Sequence, residues 1–387
     1  MIATLPDTNA RNVTPGKVML RYDDVIGEQF GGGPLSRGVL ISPWDGEPRV
    51  EWKRTGMTIR PRGGWRPNTA YTITVLPGVS DLKGQPSKNG YVYRFSTGPD
   101  FPRTAIRGAV FDLVLAKPLP NATVQAIDPG DTTRVWLTVT DSTGRFELTG
   151  VPPGTYVMRA IEEKTANRLL EPREPWDVAR VSLADSARVE LYTFVHDTMP
   201  VRISEIKVAD SVTIAMVMDK PMLAGAAITV TDVHVVAPDS SELAVTLVAT
   251  ALEQRRLRER ADSIARATDT TERGGVAPPR RTIDPTARRD TTAKVAPLVS
   301  SRPQPSTELF VTVGTRLVPG ATYRVTIAGL RNLLGVTGTA TRTLVVPRPP
   351  AADSTRAPAR RDSTRPARPP TPAPAPAVRP PGRPPRR

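Results

Sequence analysis

The chain has 387 residues, no cysteine, two histidines and a formal net charge of +15. That length affords two or three domains with separate cores, and the missing cysteine removes disulfides, thiolate nucleophiles and thiolate metal sites. Residues 347–387 carry ten Arg against two Asp, and Ala251–Glu308 carries twelve Lys/Arg against eight Asp/Glu, so the remainder is nearly neutral and a basic nucleic-acid-binding domain is not indicated.

In chain order, Val13–Thr97 shows short β-branched or aromatic runs between turn residues: "KVMLRYDDV", "GVLISP", "PRVEWKRTGMTIRP", "AYTITVLPG" and "GYVYRFSTG". Alternation with period two, broken by Gly, Pro and Asn, predicts antiparallel strands and leaves no room for a ten-residue helix. Ile106–Phe194 has the same texture in "IRGAVFD", "ATVQAID", "RVWLTVTDSTGRFELTGVPPGTYVMRAIE" and "SARVELYTF". Within it, Asp141 and Gly144 flank a tight connection that predicts a hairpin.

The third block opens near Val201 with "RISEIKVADSVTIAMVMDKPM" and resumes at "ELFVTVGTRLVPGATYRVTIAGLRNLLGVTGTATRTLVV". Between them, 251–308 lacks core residues and reads as a disordered insert. Its start, "ALEQRRLRERADSIARA", has helical composition, but Leu252, Leu257 and Ile264 make a thin stripe. Residues 347–387 hold fourteen prolines and read as a disordered, semi-extended tail. No apolar run reaches the roughly 18 residues of a membrane helix.

One phrase occurs twice. "WRPNTAYTITV" (Trp65–Val75) aligns with "LVPGATYRVTI" (Leu317–Ile327), pairing Pro67 with Pro319 and Tyr71 with Tyr323. Downstream, "GVSDLKG" falls on "GLRNLLG"; upstream, "GMTIRP" falls on "ELFVTV". A repeat of whole-domain size predicts two copies of one β-sandwich flanking a different middle domain. In that register the insert replaces the turn around Arg54-Thr55-Gly56. Because loop-closure entropy grows logarithmically, the longer link costs roughly 2 to 3 kcal/mol. The fold expected is therefore all-β: three β-sandwich domains in series over 1–100, 104–196 and 199–346, with insert 251–308 and tail 347–387.

The flanking copies resemble the bacterial Ig-like domain of surface-layer and other envelope proteins. Its strand, turn and closing motifs appear as Pro67–Val75, Asp81–Gly84 and Phe95–Gly98. The third block departs from that pattern with Asn332 in place of the Asp and "TRTLVV" in place of the closing motif. The middle block resembles the carboxypeptidase-regulatory-like, transthyretin-type sandwich through Asp141, Gly144, Phe146, Pro152, Pro153, Gly154 and Tyr156. These resemblances imply fold more than function, because such modules serve as spacers, binders and accessory domains.

The chemical inventory is sparse. His196 and His234 stand far apart without a nucleophile turn, so both read as structural and a histidine zinc site is not expected. Asp23 and Asp24 follow a strand and should point to opposite faces. Asp81 and Asp141 occupy turns where the side chain caps backbone, with calcium as the competing reading. "FGGGPLSRG" (Phe30–Gly38) has the glycines of a phosphate loop without its lysine or helix. Trp44, Trp52 and Trp65 form a candidate ligand platform, for sugar stacking, weighed against ordinary packing.

These readings predict a non-enzymatic cell-envelope or surface scaffold with no catalytic residue, cofactor or metal, whose partners are an envelope protein or a glycan. Carbohydrate binding and polyanion binding by the tail are the alternatives. Specific nucleic-acid binding is not expected, since the tail lacks base-stacking aromatics. A signal or lipoprotein leader is expected upstream, because Met1 lies almost at the first strand.

Overall fold

The computed structural model describes residues 3–226, 228–272 and 298–348. The expected disorder of 273–297 and of the tail beyond 348 falls outside the described residues. We label the principal strands of the first sandwich β1 (Ala3–Leu5), β2 (Val18–Arg21), β3 (Val39–Ser42), β4 (Arg49–Lys53), β5 (Gly56–Arg60), β6 (Ala70–Val75) and β7 (Tyr91–Ser96). One sheet runs β1-β2-β5-β4 and the facing sheet β7-β6-β3, all antiparallel. On β6, alternation sends Tyr71, Ile73 and Val75 inward, where they meet Val18, Leu20, Met57 and Ile59 of the other sheet.

The middle sandwich comprises β8 (Ala105–Asp112), β9 (Thr123–Ile127), β10 (Val135–Val139), β11 (Arg145–Thr149), β12 (Gly154–Ile161), β13 (Trp176–Leu183) and β14 (Ser186–Thr193). One sheet runs β10-β9-β12-β13; in the other, β8 pairs antiparallel with β11 and parallel with β14. Gly108 of β8 is required there, since a Cβ would collide with the Val189 carbonyl oxygen.

The predicted hairpin at Asp141 is corrected by this topology. Asp141 Oδ1 accepts from the Thr143 amide (2.8 Å) and the Arg145 amide (3.0 Å), and Gly144 takes φ +79°, so the tight reversal forms. Its flanks then part: β10 joins β9 in one sheet and β11 joins β8 in the other. Trp136 and Leu148 enter the same core from opposite sheets, and filling that core outweighs extending a local ladder.

The third sandwich has β15 (Ile203–Val208), β16 (Thr213–Met222), β17 (Val233–Val236), β18 (Val245–Thr250), helix α1 (Ala251–Glu272), β19 (Ser306–Val313), β20 (Thr322–Arg331) and β21 (Thr337–Val345). Its sheets run β15-β16-β19-β18 and β17-β20-β21, with Glu242–Leu243 added beside β17, which repeats the strand order of the first sandwich position for position. The duplicated phrase has a shared physical role. Tyr71 Oη accepts from the Arg66 amide (2.7 Å) and Tyr323 Oη from the Val318 amide (3.0 Å), each five residues upstream.

The insert begins at the tip of a hairpin, as the alignment placed it, with β18 and β19 paired up to Thr250 opposite Leu309. Its described ends are ordered, which corrects the expectation of disorder across 251–308. Thr250 and Glu253 form reciprocal caps, the Thr250 amide and hydroxyl donating to Glu253 Oε2 at 2.8 and 2.9 Å. This Thr-x-x-Glu box starts α1, about 33 Å long by its residue count. On the return, Leu298 packs beside Phe111 and Tyr192 of the middle sandwich.

Candidate functional site at the seams between sandwiches

The most constructed features outside the cores are the two seams. At the first, β3 runs beside β10. Ser42 Oγ donates to the Leu137 carbonyl (2.7 Å) and accepts from the Leu137 amide (2.9 Å), with Ser42 buried at 5% exposure. The Trp44 amide adds a bond to the Val135 carbonyl (2.6 Å), and Leu40, Trp44 and Leu137 close an apolar cluster around it. A lone hydroxyl thus satisfies both backbone groups of one residue on the neighbouring domain.

Behind this seam, the loop 162–175 lies over a buried polar network on the middle sandwich. Arg159 Nε and Nη2 donate to Gln125 Oε1 (2.9 and 2.6 Å), Gln125 Nε2 donates to the Arg168 carbonyl (2.8 Å), and Arg168 Nη1 donates to Thr123 Oγ1 (2.9 Å). Glu174 caps the amides of Lys164 and Glu171. Burial pushes the Glu163 carboxyl up and holds the Arg159 and Arg168 guanidiniums below their ordinary values. A small cavity brings Ala166, Asn167 and Arg168 against Ser36, Trp44 and Glu47 of the first sandwich.

At the second seam, Asn332 occupies the turn position that Asp81 fills in the first sandwich. Both side chains cap the same way: Asp81 Oδ1 accepts from the Lys83 and Gln85 amides, and Asn332 Oδ1 from the Leu334 and Val336 amides. The asparagine also has two donors. Nδ2 donates to the Asp197 carbonyl (2.6 Å) and the Met199 carbonyl (3.0 Å), pinning the link between middle and third sandwiches. Lys220 Nζ lies 2.5 Å from Asp197 Oδ2, and this hydrogen bond holds the Asp197 carboxyl below its ordinary value. His196 stacks on Trp176 (centroids 3.8 Å apart) and Phe194 (4.3 Å), and burial lowers its pKa. A third tie comes from the returning insert: Ser301 Oγ donates to Glu190 Oε2 (2.7 Å), Arg302 covers the Tyr192 ring, and Gln304 Nε2 donates to the Val114 carbonyl (2.8 Å).

The tryptophans expected to share a platform are kept apart. Trp44 is 9% exposed and spent on the first seam, while Trp65 stands edge-on to Tyr71 and Phe95 in the first core. Trp52 sits on the other sheet, partly exposed, its indole N–H donating to the Ile26 carbonyl (2.9 Å). Shared stacking therefore has no common face, because packing has claimed two of the rings.

Of the remaining candidates, His234 is exposed and lies 2.6 Å from Glu242 Oε1. The Gly31–Gly32 stretch turns between short strands and leads into a single 3-10 turn at Leu35–Gly38. Asp23 and Asp24, expected to diverge, both line one cleft with Asp81, because 22–25 is a bend and not a strand. Among the described residues, no three His, Asp or Glu side chains are grouped as a metal site would need. No described helix is long and apolar enough to cross a membrane.

The sequence marked Asn332 as a departure from its motif, and the structure places that residue at the second seam. The sequence did not single out Ser42, Gln125, Arg168 or Glu174. A serine closing a strand is common, and the charged loop 162–175 reads as solvated until its partners on β9 and β12 are known.

Comparison with known proteins follows the same division. Residues 1–97 match the family described as Bacterial Ig-like domain, and residues 105–169 the family described as Carboxypeptidase regulatory-like domain. No curated protein matches the chain. Among solved structures, the N-terminal part of the bacterial S-layer protein SbsC is similar at 15% identity and a TM-score of 0.22, over 39% of this chain and 24% of that one. Domains 1-6 of SbsC give 11% and 0.20, over 90% and 54%. BcpA, the major pilin subunit of Bacillus cereus, gives 11% and 0.19, over 50% and 69%. The chain thus spans about a quarter of the first S-layer structure's length.

Proposed function

Taking as premise a chain that carries a bacterial Ig-like domain followed by a carboxypeptidase regulatory-like domain, we propose that it is a non-enzymatic scaffold of the bacterial cell envelope or surface. It holds three sandwiches in fixed register so that a binding face on one is presented at a set position. One observation carries this reading: both seams are closed by polar bonds from buried side chains, Ser42 at the first and Asn332 at the second, where a tether would suffice if independent motion were useful. Unmade, these bonds leave the buried Leu137 backbone groups and the buried Asn332 side-chain amide without partners, so each seam resists opening.

Fractionation of producing cells tests the placement. Recovery with the envelope or at the surface is expected, and recovery as a free cytosolic protein would overturn it. The charge of 347–387 supports an added contact with envelope polyanions. Binding of the full chain to a polyanion should fall steeply with salt and vanish when 347–387 is deleted.

A further inference from the structure

The outer face of one sheet of the first sandwich carries a charge pattern that neither seam uses. Along β2, Val18 and Leu20 enter the core, so Met19 and Arg21 point to solvent, with exposed Lys17 just before them. On β4, Arg49, Glu51 and Lys53 are exposed, and Arg60 ends β5, which lies between those two strands. Pairing sets these side chains in three rows. Arg60 stands directly opposite Arg49, and Lys17 lies one residue before the Val18–Ile59 pair on its other side. Leu5, Met19, Thr58 and Glu51 form the middle row, and Arg21 and Lys53 flank Gly56 in the third.

Two features of this face point to its partner. The first is charge: five cations surround a single carboxylate. Arg60 Nη2 donates to Glu51 Oε1 (2.8 Å), and Lys17, Arg21, Arg49 and Lys53 enter no ion pair among the described residues. Like charges opposed across a ladder are destabilising, so Arg49 against Arg60 gains from an anion brought from outside. The module itself does not demand this pattern. In the third sandwich the equivalent sheet turns Ala215, Val217, Phe310 and Thr312 away from the core, and Glu205 and Lys207 pair with each other at 3.8 Å.

The second feature is the apolar centre. Between basic rows about 14 Å apart, four residues along a strand, Leu5 is 64% exposed and Met19 39%. A linear polyanion would engage the charges and leave these side chains in water. A lipid surface takes both, because headgroup phosphates meet Lys and Arg while the apolar side chains enter the interface.

We propose that this face of the first sandwich docks flat on an anionic lipid surface. Such docking rests on the envelope reading above for its setting, but vesicle binding and cell fractionation succeed or fail separately.

The full chain, with its methionine methyl groups labelled with carbon-13, should be mixed with vesicles of phosphatidylglycerol and phosphatidylcholine that carry a trace of gadolinium-chelate lipid. The Met19 signal should fade while that of Met199, exposed at the second seam, persists, which separates docking by this face from capture by the basic tail. Vesicles of phosphatidylcholine alone should leave Met19 intact. Lys17→Gln with Arg49→Gln and Lys53→Gln should raise the lipid concentration needed to attenuate Met19 by about a hundredfold, at roughly fivefold per cation. Leu5→Gln should raise it by at least about threefold. All four sites are exposed, and unmoved signals from buried Met57 and Met216 would report intact folds. Equal attenuation of Met19 and Met199, attenuation on phosphatidylcholine alone, or an unchanged lipid requirement in either variant would each overturn the proposal.

Discussion

The first and third sandwiches share a strand order and a tyrosine bond, yet they differ where the module meets the rest of the chain. In the first, β4 and β5 are joined at Arg54–Thr55; in the third, the equivalent strands carry residues 251–305 between them. In the first, Asp81 caps a turn and makes no contact across a seam; in the third, Asn332 caps the same turn and reaches across one. A sandwich accepts change at a hairpin tip or a turn because neither interrupts the ladder that buries its core.

If the two copies are energetically alike at heart, matched core truncations should cost the same. Ile73→Ala on β6 and Ile327→Ala on β20 remove fully buried side chains, and each should destabilise its own sandwich by about 2–5 kcal/mol. All five tryptophans lie in the first two sandwiches, so hydrogen exchange resolved by segment is the measurement, and a tenfold difference in effect would break the equivalence.

The turn exchange should be lopsided. Asn332→Asp sets carboxylate oxygen against the Asp197 and Met199 carbonyls and should cost about 1–3 kcal/mol, read as faster exchange at 195–200. Asp81→Asn keeps the capping oxygen and should stay within about 0.5 kcal/mol. Symmetric costs would deny Asn332 its place in the seam. Removing the shared hydroxyl by Tyr71→Phe or Tyr323→Phe should cost about 1 kcal/mol in either copy, by denaturant unfolding followed through far-ultraviolet circular dichroism.

The smallest effect concerns acidity at the second seam. Burial lowers the His196 pKa from 6.5, so the opened seam binds the proton first. Stability present above that ordinary value is therefore lost as pH falls through it toward the lowered one. Exchange at 195–200 should quicken over that window in the wild type and not in His196→Phe.

Much of this architecture was legible in the residues. The "x-Pro-x-x-x-Tyr" phrase gave away the duplication because a tyrosine bonded five residues back needs fixed spacing, and alternation on β6 and β20 showed which side chains face inward. Three things escaped. The turn at Asp141 looks the same locally whether its flanks pair or part, and the core around Trp136 and Leu148 decides. The Thr250–Glu253 cap was not singled out, because the thin apolar stripe of 251–264 and the charged composition around it read as a solvated insert. The seam residues were hidden because Ser42 finds its partner 95 positions away, and no local pattern records such a meeting.

The fixed register of the sandwiches can be measured directly by electron spin resonance, since a chain without cysteine accepts paired labels at chosen surface sites. Labels on the first and middle sandwiches, and on the middle and third, should give narrow distance distributions that broaden in Ser42→Ala and Asn332→Leu respectively. Broad distributions in the wild type, unchanged by either substitution, would contradict the account.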